Sequence, residues 1–309
     1  MRNGAAVLGI LGWLLAGCSA DKVATVPSLG VVWDRVTPVQ VEAPDRPDWR
    51  GDSIAFQTEV SGLDRVAAAR EDGSGVVIEP EPAGVSARAP RWVTGDLLVV
   101  SSDGSGLEDL WYREVKSGVT RRLTSYGGSW TPVPRPARPG LVYVSGANPD
   151  SGTLVLLPDT AAVPLGPLVL TPPGLPAGEP DWNPAGDQIC FSVPASNGAR
   201  TIWRMSLTDT LPVQLTVAPP NNPSSGPQID RSPRFSPDGT KILFASNRGG
   251  HWGVWTVSPL GEAQGLNVLA LDVGSAEIRH PCWSPDGTQI LLSSDRSGDR
   301  ALWRLSNLP

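Results

Sequence analysis

Short apolar runs separated by polar turns recur along most of this chain, and the runs are too brief for helices. Ile54-Ala55-Phe56, Leu97 to Val100, Leu141 to Val144, Ile189-Cys190-Phe191 and Ile242-Leu243-Phe244 are each only a few residues long and bounded by Gly, Pro, Asp and Ser. That pattern predicts many short strands joined by turns. Alignment of the chain on itself sharpens it into a repeat. The run from Ser232-Pro233-Arg234-Phe235-Ser236-Pro237-Asp238-Gly239 to Ile242-Leu243-Phe244 returns from His280-Pro281-Cys282-Trp283-Ser284-Pro285-Asp286-Gly287 to Ile290-Leu291-Leu292. Weaker copies begin at Pro47-Asp48-Trp49, Pro90-Arg91-Trp92 and Pro180-Asp181-Trp182, and the most degraded at Pro132-Val133-Pro134. Six leading prolines spaced roughly 42 to 53 residues apart give the period of a four-stranded propeller blade.

Each part of the repeat predicts one element. The first strand carries a large ring (Trp49, Trp92, Trp182, Phe235, Trp283) suited to filling the wedge between twisted blades. Pro-Asp-Gly then turns the chain, because Pro presets φ, Asp bonds the local backbone and Gly accepts a positive φ. Apolar second strands follow, then polar hairpin loops at Ser102-Asp103-Gly104, Ser246-Asn247-Arg248 and Ser294-Asp295-Arg296. Third strands carry Trp111, Trp203, Trp255 and Trp303, and fourth strands end in Leu-Thr at Leu123-Thr124, Leu170-Thr171 and Leu215-Thr216. After the sixth first strand only two strands remain, the last at Leu302–Leu305. The segment Val31 to Val41, with Val36, Val39 and Val41 alternating with polar neighbours, is therefore expected to supply the missing outer strand and close the ring. The fold class is all-β: a six-bladed propeller of four-stranded blades over residues 31–309, closed by an N-terminal strand completing the last blade.

Composition agrees and narrows the function. Hydrophobic residues make up 40% of the 309 residues and charged residues 18%, enough apolar material for a core. Thirty-four Gly and 32 Pro suit a turn-rich fold. A net charge of −6 disfavours nucleic acid as a partner, since phosphate binding calls for a basic surface.

The first residues read as an address. Arg2 precedes an apolar stretch from Ala5 to Ala16, which spans only about 18 Å as a helix against a hydrocarbon core of roughly 30 Å, so residues 1–17 are expected to be a signal peptide. Leu15-Ala16-Gly17-Cys18 resembles the lipobox of bacterial lipoproteins. The resemblance implies that Cys18 is acylated and becomes the first mature residue, that residues 18–30 tether the domain to the membrane, and that the destination is the outer membrane, facing the periplasm of the cell envelope, because Ser19 stands where retention would place Asp. Two or three acyl chains make a stable anchor.

Ser-Pro-Asp-Gly-Thr-x-Ile with a following Ser-x-Arg resembles the WD40-like (PD40) repeat of the TolB-like propellers, over about 260 residues from Pro44 to Leu305. The resemblance implies the six-bladed fold and a place in the cell envelope. It does not select an activity, because the same repeat occurs in docking proteins, in regulatory propellers of peptidases and in lyases. TolB also carries an α/β domain before its propeller, whereas here about 25 residues separate Cys18 from the first repeat.

Catalytic motifs are missing from the sequence: there is no Gly-x-Ser-x-Gly elbow, His-Glu-x-x-His helix, Walker loop or EF-hand loop. His251 and His280 are the only histidines, too few for a His-rich metal cluster. No cofactor, metal or catalytic residue is expected. Cys190 and Cys282 fall at different repeat positions and are expected to be buried free thiols. Charges do gather at the start of the innermost strands: Asp48, Arg91, Asp181 and Arg234 just after the leading prolines, with Arg88, Glu179, Arg231, Arg279 and His280 just before. In a propeller these crowd the mouth of the central channel. They are either ion pairs tying blades together or a charged funnel for a partner protein or peptide. The loop Ala218 to Pro227 is a second candidate. The expected function is a monomeric, membrane-tethered binding scaffold for an envelope protein. A carbohydrate-binding propeller, with Trp130 and Trp252 as candidate contacts, and a hydrolase or lyase are the alternatives.

Overall fold

The computed structural model describes residues 30–158, 166–209, 211–218, 226–272 and 274–309. The signal peptide, Cys18 and nearly all of the tether expected from the sequence lie outside the described residues, as do residues 219–225 of the second candidate loop.

Six four-stranded antiparallel sheets follow one another along the chain. Their innermost strands are Asp45–Arg50, Ala87–Trp92, Ser129–Pro134, Gly178–Trp182, Asp230–Phe235 and Ile278–Trp283, opening blades 1 to 6. Every leading proline lies inside one of these strands, two or three residues beyond its start, so the charges on both sides of it lie within the strand, as expected. Six hydrophobic clusters hold the ring together, and each is shared by two adjacent blades. Trp92, for example, packs with Ala55 and Val66 of blade 1 as well as Leu98 and Val100 of its own blade. Phe56, Phe191 and Phe244 occupy the same place in three second strands and are fully buried. Truncating any one to Ala costs about 3–5 kcal/mol.

The Leu-Thr ending has a mechanical role. Leu123, Leu170 and Leu215 continue the ladder by donating N–H to the carbonyls of Leu110, Leu154 and Ile202. The threonine that follows then accepts the N–H of that same third-strand residue on its Oγ1, at 2.9, 3.1 and 2.9 Å. Each latch satisfies a buried donor that the short outer strand leaves unpaired.

Closure follows the same rule. Val32–Arg35 pairs antiparallel with Ala301–Ser306, from Val32 opposite Ser306 to Arg35 opposite Trp303, and so becomes the outer strand of blade 6. Val36 donates to the Leu302 carbonyl, and Thr37 Oγ1 accepts the Leu302 N–H. Val36-Thr37 thus stands in for Leu-Thr. The strand is shorter than Val31 to Val41: Val36 and Val41 are buried beyond it, while Val39 is exposed.

Candidate functional site

All six innermost strands carry the same irregularity. Three steps along the inner strand oppose two along its neighbour, as where Asp45 and Asp48 face Gln57 and Ala55, or Arg231 and Arg234 face Ala245 and Leu243. The extra residue falls immediately before the leading proline, where the ladder is interrupted anyway because proline has no N–H. At that place φ is 49° for Arg46, 48° for Ala89, 46° for Thr131, 51° for Glu179, 53° for Ser232 and 45° for His280. None is glycine. A positive φ costs an L-residue roughly 1–2 kcal/mol, and a following proline favours extended backbone instead. The bulge also breaks the alternation of side chains, so neighbouring residues fall into three separate tiers.

The tier just after the prolines forms a septum across the axis. Arg91 pairs with Asp48 at 2.8 Å and with Asp181 at 3.0 Å, while Arg234 pairs with the same two carboxylates at 3.4 and 3.6 Å. Two arginines and two aspartates from blades 1, 2, 4 and 5 therefore close a square of ion pairs over the channel. Each aspartate also accepts the backbone N–H of the next blade, Asp48 from Trp92 at 2.9 Å and Asp181 from Phe235 at 3.0 Å. Burial pushes the Asp181 carboxyl up to about 6 against the pull of Arg91. Cys282 completes this tier in blade 6, and burial raises its thiol and that of Cys190 in blade 4 well above the ordinary range, which leaves both inert.

Above the septum the tier of left-handed residues walls a small chamber, with about 40 Å³ open to water-sized molecules. Arg46, Ala89, Thr131, Glu179, Ser232 and His280 line it, and Arg91 and Arg234 form its floor. Its acids are fully engaged. Glu179 accepts from Ser192 Oγ at 2.8 Å, from Ser232 N at 2.9 Å and from Ser232 Oγ at 2.7 Å, with Arg200 at 3.8 Å and His280 Nε2 at 3.7 Å. Burial alone would raise the Glu179 carboxyl, but His280, Arg200 and Ser232 reverse that and bring it to about 2. Asp45 lies 2.7 Å from His280 Nδ1 and accepts the Arg46 N–H at 2.8 Å. Burial opposes ionisation there too, and His280 and Arg46 hold the carboxyl far below its usual range.

In the third tier, Asp45 of blade 1 meets His280 while the arginines pair outside the chamber. Arg88 reaches Asp64 and Glu108, both at 2.7 Å, and Arg231 and Arg279 share Glu277. These three arginines do not line the chamber. Of the nine charged residues singled out in the sequence, the structure gathers Asp48, Arg91, Asp181 and Arg234 in the septum and Glu179 and His280 in the chamber wall. The sequence reading passed over Arg46, Asp45, Thr131 and Ser232, although the position before each leading proline would have found three of the four.

The upper rim is pinned from outside. Asp103, Asn247 and Asp295, in three hairpin loops, accept the N–H of Ser86, Ile229 and Glu277 at 2.7, 2.7 and 2.8 Å, fixing each inner strand four residues ahead of its proline. Below the septum a wider chamber of about 270 Å³ is walled by Trp49, Trp182, Phe235 and Trp283. Trp130 occupies the third-tier position of blade 3 and is part-buried, its indole N–H donating to the Gly146 carbonyl at 2.9 Å. Arg231 lies 4.2 Å from the Trp252 ring centroid. Both indoles are part-buried, Trp130 against the cluster shared by blades 3 and 4 and Trp252 against that shared by blades 5 and 6. No group of three or more His, Cys, Asp or Glu among the described residues is placed to hold a metal.

Neither a family model nor a curated protein sequence matches the chain. Solved structures do. TolB from Acinetobacter baumannii aligns with a TM-score of 0.63 at 16% identity, covering 84% of this chain and 66% of that one, so this chain spans just under two thirds of that protein. A gluconolactonase from Xanthomonas campestris aligns at 0.64 with 14% identity over 90% of both chains. An oligogalacturonate lyase from Vibrio parahaemolyticus aligns at 0.54 with 12% identity, covering 90% of this chain and 94% of that one. TolB and the two enzymes alike share the architecture. What the chain has in common with them is the fold: a TolB-like six-bladed β-propeller.

Proposed function

We propose that this chain is an envelope binding scaffold, anchored through Cys18, whose upper channel mouth docks a protein or peptide partner. The observation carrying this reading is the ring of six strained, non-glycine residues over an ion-paired floor. Backbone held in a costly conformation at six equivalent places is over-determined by its surroundings, and such strain concentrates where side chains must be presented in fixed positions. A mouth whose charges are already locked by neighbours loses little freedom on binding, which favours recognition. The chamber is small, with about 40 Å³ open to the centres of water-sized molecules. It suits a protruding group of a larger partner, with the rim supplying the remaining contact.

Co-purification tests this. The full chain, crosslinked in intact cells and identified with its companions by mass spectrometry, is compared with an Ala89→Arg variant that fills the mouth. Blade 1 carries Arg46 at the same left-handed position, so the substitution suits the backbone. A companion retained by the parent chain and lost from the variant is the expected result. Identical companions would overturn the assignment to this mouth. The lactonase and lyase with this fold supply a second reading, an enzyme acting on a lactone or oligosaccharide, and turnover of such compounds that Ala89→Arg abolishes would favour it.

A further inference from the structure

We propose that the upper chamber is a carboxylate-binding site, taking the C-terminus or an acidic side chain of the docked partner. The proposal rests on the mouth being the docking surface and names the group that enters it. Two independent observations point to an anion. First, the acids of the chamber have their partners while donors are left over. Among the described residues the Arg46 guanidinium makes no hydrogen bond or ion pair and exerts only a Coulombic pull on Asp45. Second, Thr131, 8% exposed, has its Oγ1 buried in the chamber wall without a hydrogen-bond partner. An unmet buried hydroxyl is costly unless something occupies the space it faces.

The floor adds to this. Arg91 spends one N–H on each of Asp48 and Asp181, and Arg234 donates to Asp48 and to the Pro47 carbonyl. A guanidinium has five N–H donors, so both arginines retain some. Their charges are balanced by the aspartates of the septum, which keeps the floor stable when the chamber holds only water. The open volume of about 40 Å³ has room for roughly three waters at 10–15 Å³ each. A carboxylate fits that space. An ammonium group would meet the like charge of Arg46 and find no carboxylate to spare, since Glu179 and Asp45 are engaged.

The test is an amide NMR titration of the labelled full chain, following Arg46, Ala89, Thr131 and Ser232. Acetate against matched chloride reports the bare group, triglycine the C-terminus and N-acetyl-aspartate amide the side chain; triglycinamide is the control. Expected is a saturable shift of the chamber amides with acetate, a tighter one with triglycine or acetyl-aspartate amide, and none with triglycinamide. Arg46→Gln should weaken binding about tenfold, the scale of one charge-assisted hydrogen bond, while Arg46→Lys retains most of it. Thr131→Val should weaken it severalfold without altering the fold. The relative strength of the two carboxylate probes tells which source the site prefers. Chamber amides that do not saturate with any carboxylate, or that move equally with triglycinamide, overturn the proposal. Failure here leaves partner capture by the mouth intact. Carboxylate binding without any captured partner would instead sink the docking function and leave the site.

Discussion

Thr37 Oγ1 accepts the backbone N–H of Leu302 at 3.0 Å, joining positions 265 residues apart. The bond repeats what Thr124, Thr171 and Thr216 do inside single blades, and here it locks the two ends of the ring. Thr37→Val should leave a buried N–H unpaired and lower stability by about 1–3 kcal/mol, as a lower melting temperature. Deleting residues 30–42 removes the strand as well and should cost far more. An unchanged melting temperature in the deletion would contradict closure by this segment.

Gly73 gives a second probe of closure. A Cβ there would lie 1.8 Å from the Val36 carbonyl oxygen, and the backbone has φ +82°. Gly73→Ala must push the closing segment aside, at a cost of about 1–3 kcal/mol from overpacking. Gly75, also at positive φ but with open space around it, separates the two effects. Its Ala variant should lose only the conformational part, roughly 1–2 kcal/mol. Denaturant midpoints of the two variants check the difference.

The septum changes what a charge reversal would do. Arg91→Glu or Arg234→Glu would crowd buried carboxylates together with too little positive charge. Arg91→Met alone should cost about 3–5 kcal/mol, because it strips Asp48 and Asp181 of their nearest cation. Replacing all four members by neutral residues of similar volume should cost much less. Chemical denaturation of both variants gives the comparison, and equal losses would contradict the account of the septum.

Acid should weaken the molecule through Glu179. Its folded pKa of about 2 lies below the ordinary 4.5, so the stabilisation is present above 4.5 and is lost as pH falls toward 2. At 1.36 kcal/mol per unit this amounts to about 3 kcal/mol. Asp181 works in the opposite direction. Its folded value of about 6 exceeds the ordinary 3.8, so stability falls as pH rises from about 4 to about 6. Glu179→Gln should flatten the acid limb and Asp181→Asn the limb from 4 to 6, as read from stability measured against pH.

Much of this was legible in the sequence because turn chemistry and ring size are local signals. Pro-Asp-Gly, the first-strand aromatics and Leu-Thr marked strand order, blade number and the blade that needed the N-terminal segment. Other features were hidden for a physical reason. The bulge before each proline inserts one residue into a period-two pattern, so Arg88, Glu179 and Asp181 look like one charged cluster although they face three directions. Val36-Thr37 is too ordinary a pair to announce itself as a latch. Arg46 escaped notice because Asp45 and Asp48 surround it with charge, and only the backbone shows that it shares a tier with Glu179 and His280.

Photocrosslinking from single sites in living cells tests the docking mouth most directly. A photoreactive residue at Ala89 or Ser232, in the wall of the upper chamber, is compared with one at Thr288, which borders a groove at the opposite end of the inner strands. The account expects a discrete crosslinked partner from the two upper positions and none from Thr288. The same partner from Thr288, or none from either upper position, would contradict it.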